Sequence, residues 1–137
     1  HSEQNESSSE PVHFVQMWVM PDSPGRPPGY QQQEIGDALA GGRLVTVASG
    51  RDQDAAITVG NADATLYAAR LQSGDSVEVP DAPYVHLFVA LGGVELEGAG
   101  ALDAGDAVRF TGGGGQRLAA VAPSEVLIWA MERRLGR

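Results

Sequence analysis

The chain has no cysteine, which removes disulfide frameworks, thiolate-bound zinc and cysteine nucleophiles from consideration. It also has no lysine: all nine basic residues are arginines, set against 18 Asp and Glu, for a formal net charge of −9. Such a balance repels phosphate backbones and no basic stripe offsets it, so no direct nucleic-acid binding is expected. Apolar runs such as Val85 to Leu91 are far too short to span a bilayer, so no membrane partner is expected either. The first ten residues, His1 to Glu10, are polar and acidic, the opposite of a charged-then-apolar leader. With cysteine absent as well, the expectation is a cytoplasmic location. Long amphipathic helices are missing too, and that shortage directs the reading of the fold.

What is present is a globular composition, 42% hydrophobic over 137 residues. That length suits one domain able to bury roughly two-thirds of its unfolded surface. Residues 1–11 are rich in Ser and Glu and read as an entry segment. Val12 to Met20, β-branched and aromatic and closed by Pro21, predicts a strand. The four prolines and two glycines between Pro21 and Tyr30 predict a loop. Gln31 to Ala40 has room for a helical turn, kept short by Gly36 and Gly41-Gly42. From Arg43 onward, apolar runs recur between turn residues: Leu44 to Ala48, Ala56 to Val59, Thr65 to Leu71, Val77 to Val79, Val85 to Leu91 and Val94 to Leu96. Ala107 to Phe110, Leu118 to Ala122 and Val126 to Met131 complete the series. Strand-length runs spaced by roughly 8 to 12 residues signify an all-β, antiparallel sandwich or barrel. The Gly112 to Gly115 run could cradle a phosphate only if it opened a helix; a strand follows it, so it reads as a flexible turn.

Few residues offer chemistry. Of the three histidines, His13 begins one apolar run and His86 sits inside another, and neither has a carboxylate two residues away on the same strand face. His1-Ser2-Glu3 does place an imidazole and a carboxylate on one side of an extended segment, a spacing suited to a divalent metal. On spacing alone the same residues read more simply as a disordered terminus or the remnant of a tag. Glu95 and Glu97 look like the solvated side of a strand, and no nucleophile, base and orienter group together.

His1-Ser2-Glu3-Gln4-Asn5, then Glu10-Pro11-Val12-His13-Phe14-Val15-Gln16-Met17-Trp18-Val19, then Pro28-Gly29-Tyr30-Gln31-Gln32 resemble a segment of the pirin-type bicupins. Leu66-Tyr67-Ala68-Ala69-Arg70-Leu71 is similar to the start of that family's second barrel. The resemblance implies a cupin-type jelly roll, with residues 1–42 the end of an N-terminal cupin plus linker and 43–137 the C-terminal cupin. It further implies an iron-type divalent metal, Fe(II) or similar, held in the N-terminal cupin by three histidines and one glutamate. Carried over, two of those ligands are His1 and Glu3, with Glu3 also the candidate base in an intact two-cupin protein; the other two histidines are absent from this chain. No metal is expected in this chain alone, because two ligands make a weak half-site.

Against the general two-part cupin pattern, Gly74, Gly93 and Gly105 fit as turns, while the ligand positions read Pro80, Ala82, His86 and Gln116. Anchoring on Gly92 instead puts Val85 at the glutamate position. Neither register yields a metal quartet, so a filled or metal-free interior is expected. Three readings follow. In the first, the chain is the structural partner of an N-terminal cupin in a quercetin 2,3-dioxygenase-type oxygenase. In the second, it is a non-enzymatic regulatory cupin that binds another protein. In the third, it binds a small molecule in its own cavity near Tyr84, His86 and Trp129, residues that read more simply as core. An exposed Val12 to Met20 strand could also pair with a second copy in a homodimer.

Overall fold

In the computed structural model, which describes residues 2–133, the apolar runs after residue 43 become strands. They are β1 (Val45–Ser49), β2 (Ile57–Thr58), β3 (Ala64–Leu71), β4 (Ser76–Glu78), β5 (Ala82–Leu91) and β6 (Gly93–Leu96). There follow β7 (Gly100–Asp103), β8 (Ala107–Gly113), β9 (Arg117–Ala120) and β10 (Ser124–Met131). One helical turn, α1 (Gly36–Leu39), precedes them and buries only Leu39. The sheets run β2-β1-β3-β10-β5-β8 and β4-β9-β6-β7. From β3 to β10 the chain passes from one sheet to the other at every step except the β6–β7 hairpin, in jelly-roll order, and every pairing is antiparallel except the short β1–β2 pair. The result is a two-layer sandwich rather than a closed barrel.

A period of two decides what fills the space between the layers. On β10, Val126, Ile128 and Ala130 point inward; on β5, Val85, Leu87 and Val89 do the same. Register sets Val126 opposite Val89, Ile128 opposite Leu87 and Ala130 opposite Val85. Val94 and Leu96 of β6 and Leu118 of β9 close the core from the smaller sheet. The interior is therefore packed with aliphatic side chains, as expected for the substituted ligand positions.

The sheets are joined where β5 turns into β6. Gly92 takes φ +78° there, and a Cβ on it would lie 2.2 Å from the Pro123 carbonyl oxygen, so only glycine fits. The buried Ser124 hydroxyl accepts from the Gly93 N–H at 3.0 Å and lies 2.9 Å from the Gly93 carbonyl and 2.8 Å from that of Ala122.

Three expectations need correction. Val12 to Met20 is not a strand: it carries no regular secondary structure and pairs with no described strand, and Val12, Phe14, Trp18 and Met20 stand exposed. Side-chain propensity alone gives no ladder when neither backbone edge meets a partner. Strand β7 was not expected, because Ala101-Leu102-Asp103 carries a single large apolar residue; its pairing with β6 forms it. Finally, Gly112 and Gly113 continue β8 rather than turning, and a Cβ on Gly113 would fall 2.5 Å from the Phe110 Cβ.

The segment before β1 is tied to the sandwich by a polar clasp. The Asp22 N–H donates to the Gly60 carbonyl at 2.9 Å, and the Asp22 carboxylate accepts from the Ala62 N–H at 3.0 Å. The Asn61 amide donates to the Met20 carbonyl at 2.8 Å, and the Gln31 side chain accepts from the Thr58 N–H at 2.5 Å. The Ala62 N–H, with Arg26 nearby, holds the Asp22 carboxyl below the usual carboxylate range, although partial desolvation opposes this.

Candidate functional site

The alternation that fills the core with aliphatics sends a different set outward. Tyr84, His86 and Phe88 of β5 and Leu127, Trp129 and Met131 of β10 share the outer face of the six-stranded sheet. Register aligns Arg109, His86 and Trp129 in one row across β8, β5 and β10. The adjacent row is Thr111, Tyr84 and Met131. Residues 15–19 cross above this face, and the Trp129 indole N–H donates to the Met17 Sδ at 3.2 Å. Between segment and sheet lies an open groove of about 840 Å³.

The electrostatics of the groove oppose those of the whole chain. No Asp or Glu lines it, and its one formal charge is Arg109. His86 is half-buried among Phe88, Trp129 and Arg109; burial first and the Arg109 charge second push its pKa below the ordinary 6.5. Its imidazole is therefore neutral at physiological pH, able to donate from one nitrogen and accept at the other.

Tyr84, His86 and Trp129 were expected as core, or as the lining of an internal cavity. The structure brings them together but outside the sandwich. The reason is parity: each is one residue removed from an inward-facing Val85, Leu87 or Ile128. The cupin ligand positions do not converge either. Ala82 packs in the core, His86 faces outward, Pro80 is half-buried, and the Gln116 side chain accepts from the Gly114 N–H at 2.9 Å.

Glu3 is exposed and lines a shallow depression with Phe14 and Trp18 on the segment before β1, while His13 is exposed beside it. His1, the expected companion ligand, lies outside the described residues. Among the described residues no three His, Asp or Glu side chains form a group able to hold a metal ion. No described helix is long and apolar enough to cross a membrane.

Residues 46–131 match the quercetinase C-terminal cupin domain family. A Mycobacterium tuberculosis protein named "Putative quercetin 2,3-dioxygenase" is 57% identical over 137 residues, covering 99% of this chain and 56% of that protein. The chain thus spans about half the length of the curated relatives it matches. Among solved structures, YhhW from Escherichia coli superposes with a TM-score of 0.72 at 21% identity, over 85% of this chain and 50% of that one. The same bacterial pirin in complex with nickel(II) gives 0.69 at 22% identity, over 85% and 49% of the respective chains. These two establish the likeness of fold, and the family match covers most of the sandwich. By that match the chain belongs to the pirin family, of which it carries the quercetinase C-terminal cupin domain.

Proposed function

We propose that this chain is the C-terminal, structural half of a metal-dependent quercetin 2,3-dioxygenase-type protein. In this reading residues 1–42 are the end of an N-terminal cupin and its linker, and 43–137 form the partner barrel. The observation that carries it is the 57% identity, across nearly the whole chain, to a relative bearing that name, of which this chain covers 56%. The filled sandwich interior supports the division of labour, because among the described residues aliphatic side chains pack the space between the layers where a cupin centre would hold its ion.

A divalent metal such as Fe(II) does not fit a centre built from the described residues. The family's donor set is three imidazoles and a carboxylate, and Glu3 alone of the described residues corresponds to it. With His1 it would contribute two ligands, and a neighbouring cupin would contribute the remaining histidines. The role left to this chain is positional. The Asp22–Ala62 and Asn61–Met20 hydrogen bonds and the Met17–Trp129 contact hold the segment over the outer face, so a cupin continuous with that segment would seat there.

The test measures oxygen uptake with quercetin and Fe(II) for this chain alone, for the N-terminal half of the mycobacterial relative alone, and for the two together. Turnover only in the mixture, or a large gain there over the separate halves, is the expected result. Stoichiometric, tightly held iron or full turnover with this chain alone would overturn the reading.

A further inference from the structure

We propose that the upstream cupin sets a carboxylate against Arg109, so that an ion pair across the seam locks the two halves together. The inference rests on the two-cupin reading above and adds the chemistry of the contact between the halves.

The occupant of this face follows from the chain itself. Residues 15–19 cross the outer face of the six-stranded sheet, and the polypeptide upstream is continuous with them. The mycobacterial relative, 57% identical to this chain, has nearly half of its length outside the match, which is room for one more cupin.

Three conditions then fix what the incoming surface carries. First, the face holds no acid of its own. The chain has 18 Asp and Glu, yet none lines the groove, where Arg109 is the one formal charge. Second, Arg109 has no partner at home. Arg51, Arg70 and Arg133 each hold a carboxylate, whereas among the described residues the Arg109 guanidinium makes no hydrogen bond or ion pair. His86 stands directly opposite it in register, but a neutral ring cannot cancel a charge. Third, seating removes water. Arg109 is exposed on the edge strand β8 and well solvated as it stands. Covered without a counter-charge, it would lose that hydration and oppose closure of the seam. A carbonyl would satisfy one N–H and leave the charge, while a carboxylate accepts from two and neutralises it.

The experiment compares this chain with a longer one in which the unmatched N-terminal part of the mycobacterial relative precedes it. Amide hydrogen exchange is followed by mass spectrometry in peptides from β5, β8 and β10. Seating is read as slower exchange of these strands in the longer chain. There Arg109→Gln should speed their exchange about tenfold or more, since it leaves a covered carboxylate unpaired, and should change nothing in the shorter chain. Arg109→Lys should recover part of the loss, because the charge survives and the two-point geometry does not. Arg117→Gln, on β9 of the opposite sheet, should be silent in both chains. The proposal is overturned if R109Q is silent in the longer chain, acts equally in both chains, or is matched by R117Q. With the strands still protected, those results leave the two-cupin reading standing. Strands that exchange equally fast in both chains would instead refute the seating itself, and this inference with it.

Discussion

Ser124→Ala should weaken the fold out of proportion to the single oxygen it removes. The Ser124 hydroxyl is buried at the β5–β6 junction, where it accepts from the Gly93 N–H at 3.0 Å. Alanine leaves that donor without this acceptor at a buried position. The Gly93 carbonyl suffers less, since it keeps the Val121 N–H at 3.0 Å. One orphaned buried donor costs about 1–3 kcal/mol. Taking about 2 kcal/mol, the expected fall in Tm for a domain of this size is about 8 °C. Urea unfolding followed by circular dichroism measures the difference directly. Ser73→Ala is the control: its hydroxyl donates to the Val121 carbonyl at 3.2 Å but is exposed, so its loss should stay within about 0.5 kcal/mol. If S124A matched S73A, the junction would not be held by this hydroxyl and the reasoning would fail.

His86 makes stability depend on pH in a definite direction. Its folded pKa lies below the ordinary 6.5, so on acidification the unfolded chain takes up the proton first. Stability contributed by the neutral ring is intact above pH 6.5 and falls as the pH drops from there through the depressed folded value. Comparing Tm of wild type and His86→Gln between pH 7.5 and 5 should show the wild type losing more; parallel losses would contradict the burial of this ring. Gly50→Ala should destabilise by about 2–3 kcal/mol, since its Cβ would lie 1.9 Å from the Asn61 carbonyl oxygen and force backbone apart. Denaturant titration checks this, and a change below about 0.5 kcal/mol would mean that the Asn61 turn yields freely.

The strands of the sandwich were legible because their signal is local. Val85 to Leu91 and Val126 to Met131 carry both a run of β-formers and the turn residues that bound it. Strand β7 was not, since Leu102 alone gives no period and the strand exists through its partner β6. Val12 to Met20 failed in the opposite sense: its side chains suit a strand, yet a ladder needs a second backbone that no side-chain pattern encodes. The groove was half legible. Tyr84, His86 and Trp129 stood out by type, but whether they face in or out turns on a parity that Val85 and Ile128 settle only once the two sheets are stacked. Arg109 passed unnoticed because its meaning comes from lying opposite His86 across two strands, a neighbour 23 residues away in sequence.

The clasp formed by Asp22, Gln31 and Asn61 has a consequence for anything attached upstream of it. A tether of a few residues, anchored beside the sheet, turns an encounter between separate bodies into one within a single molecule, at a local concentration of order millimolar. A contact too weak to survive dilution would then remain closed nearly all the time.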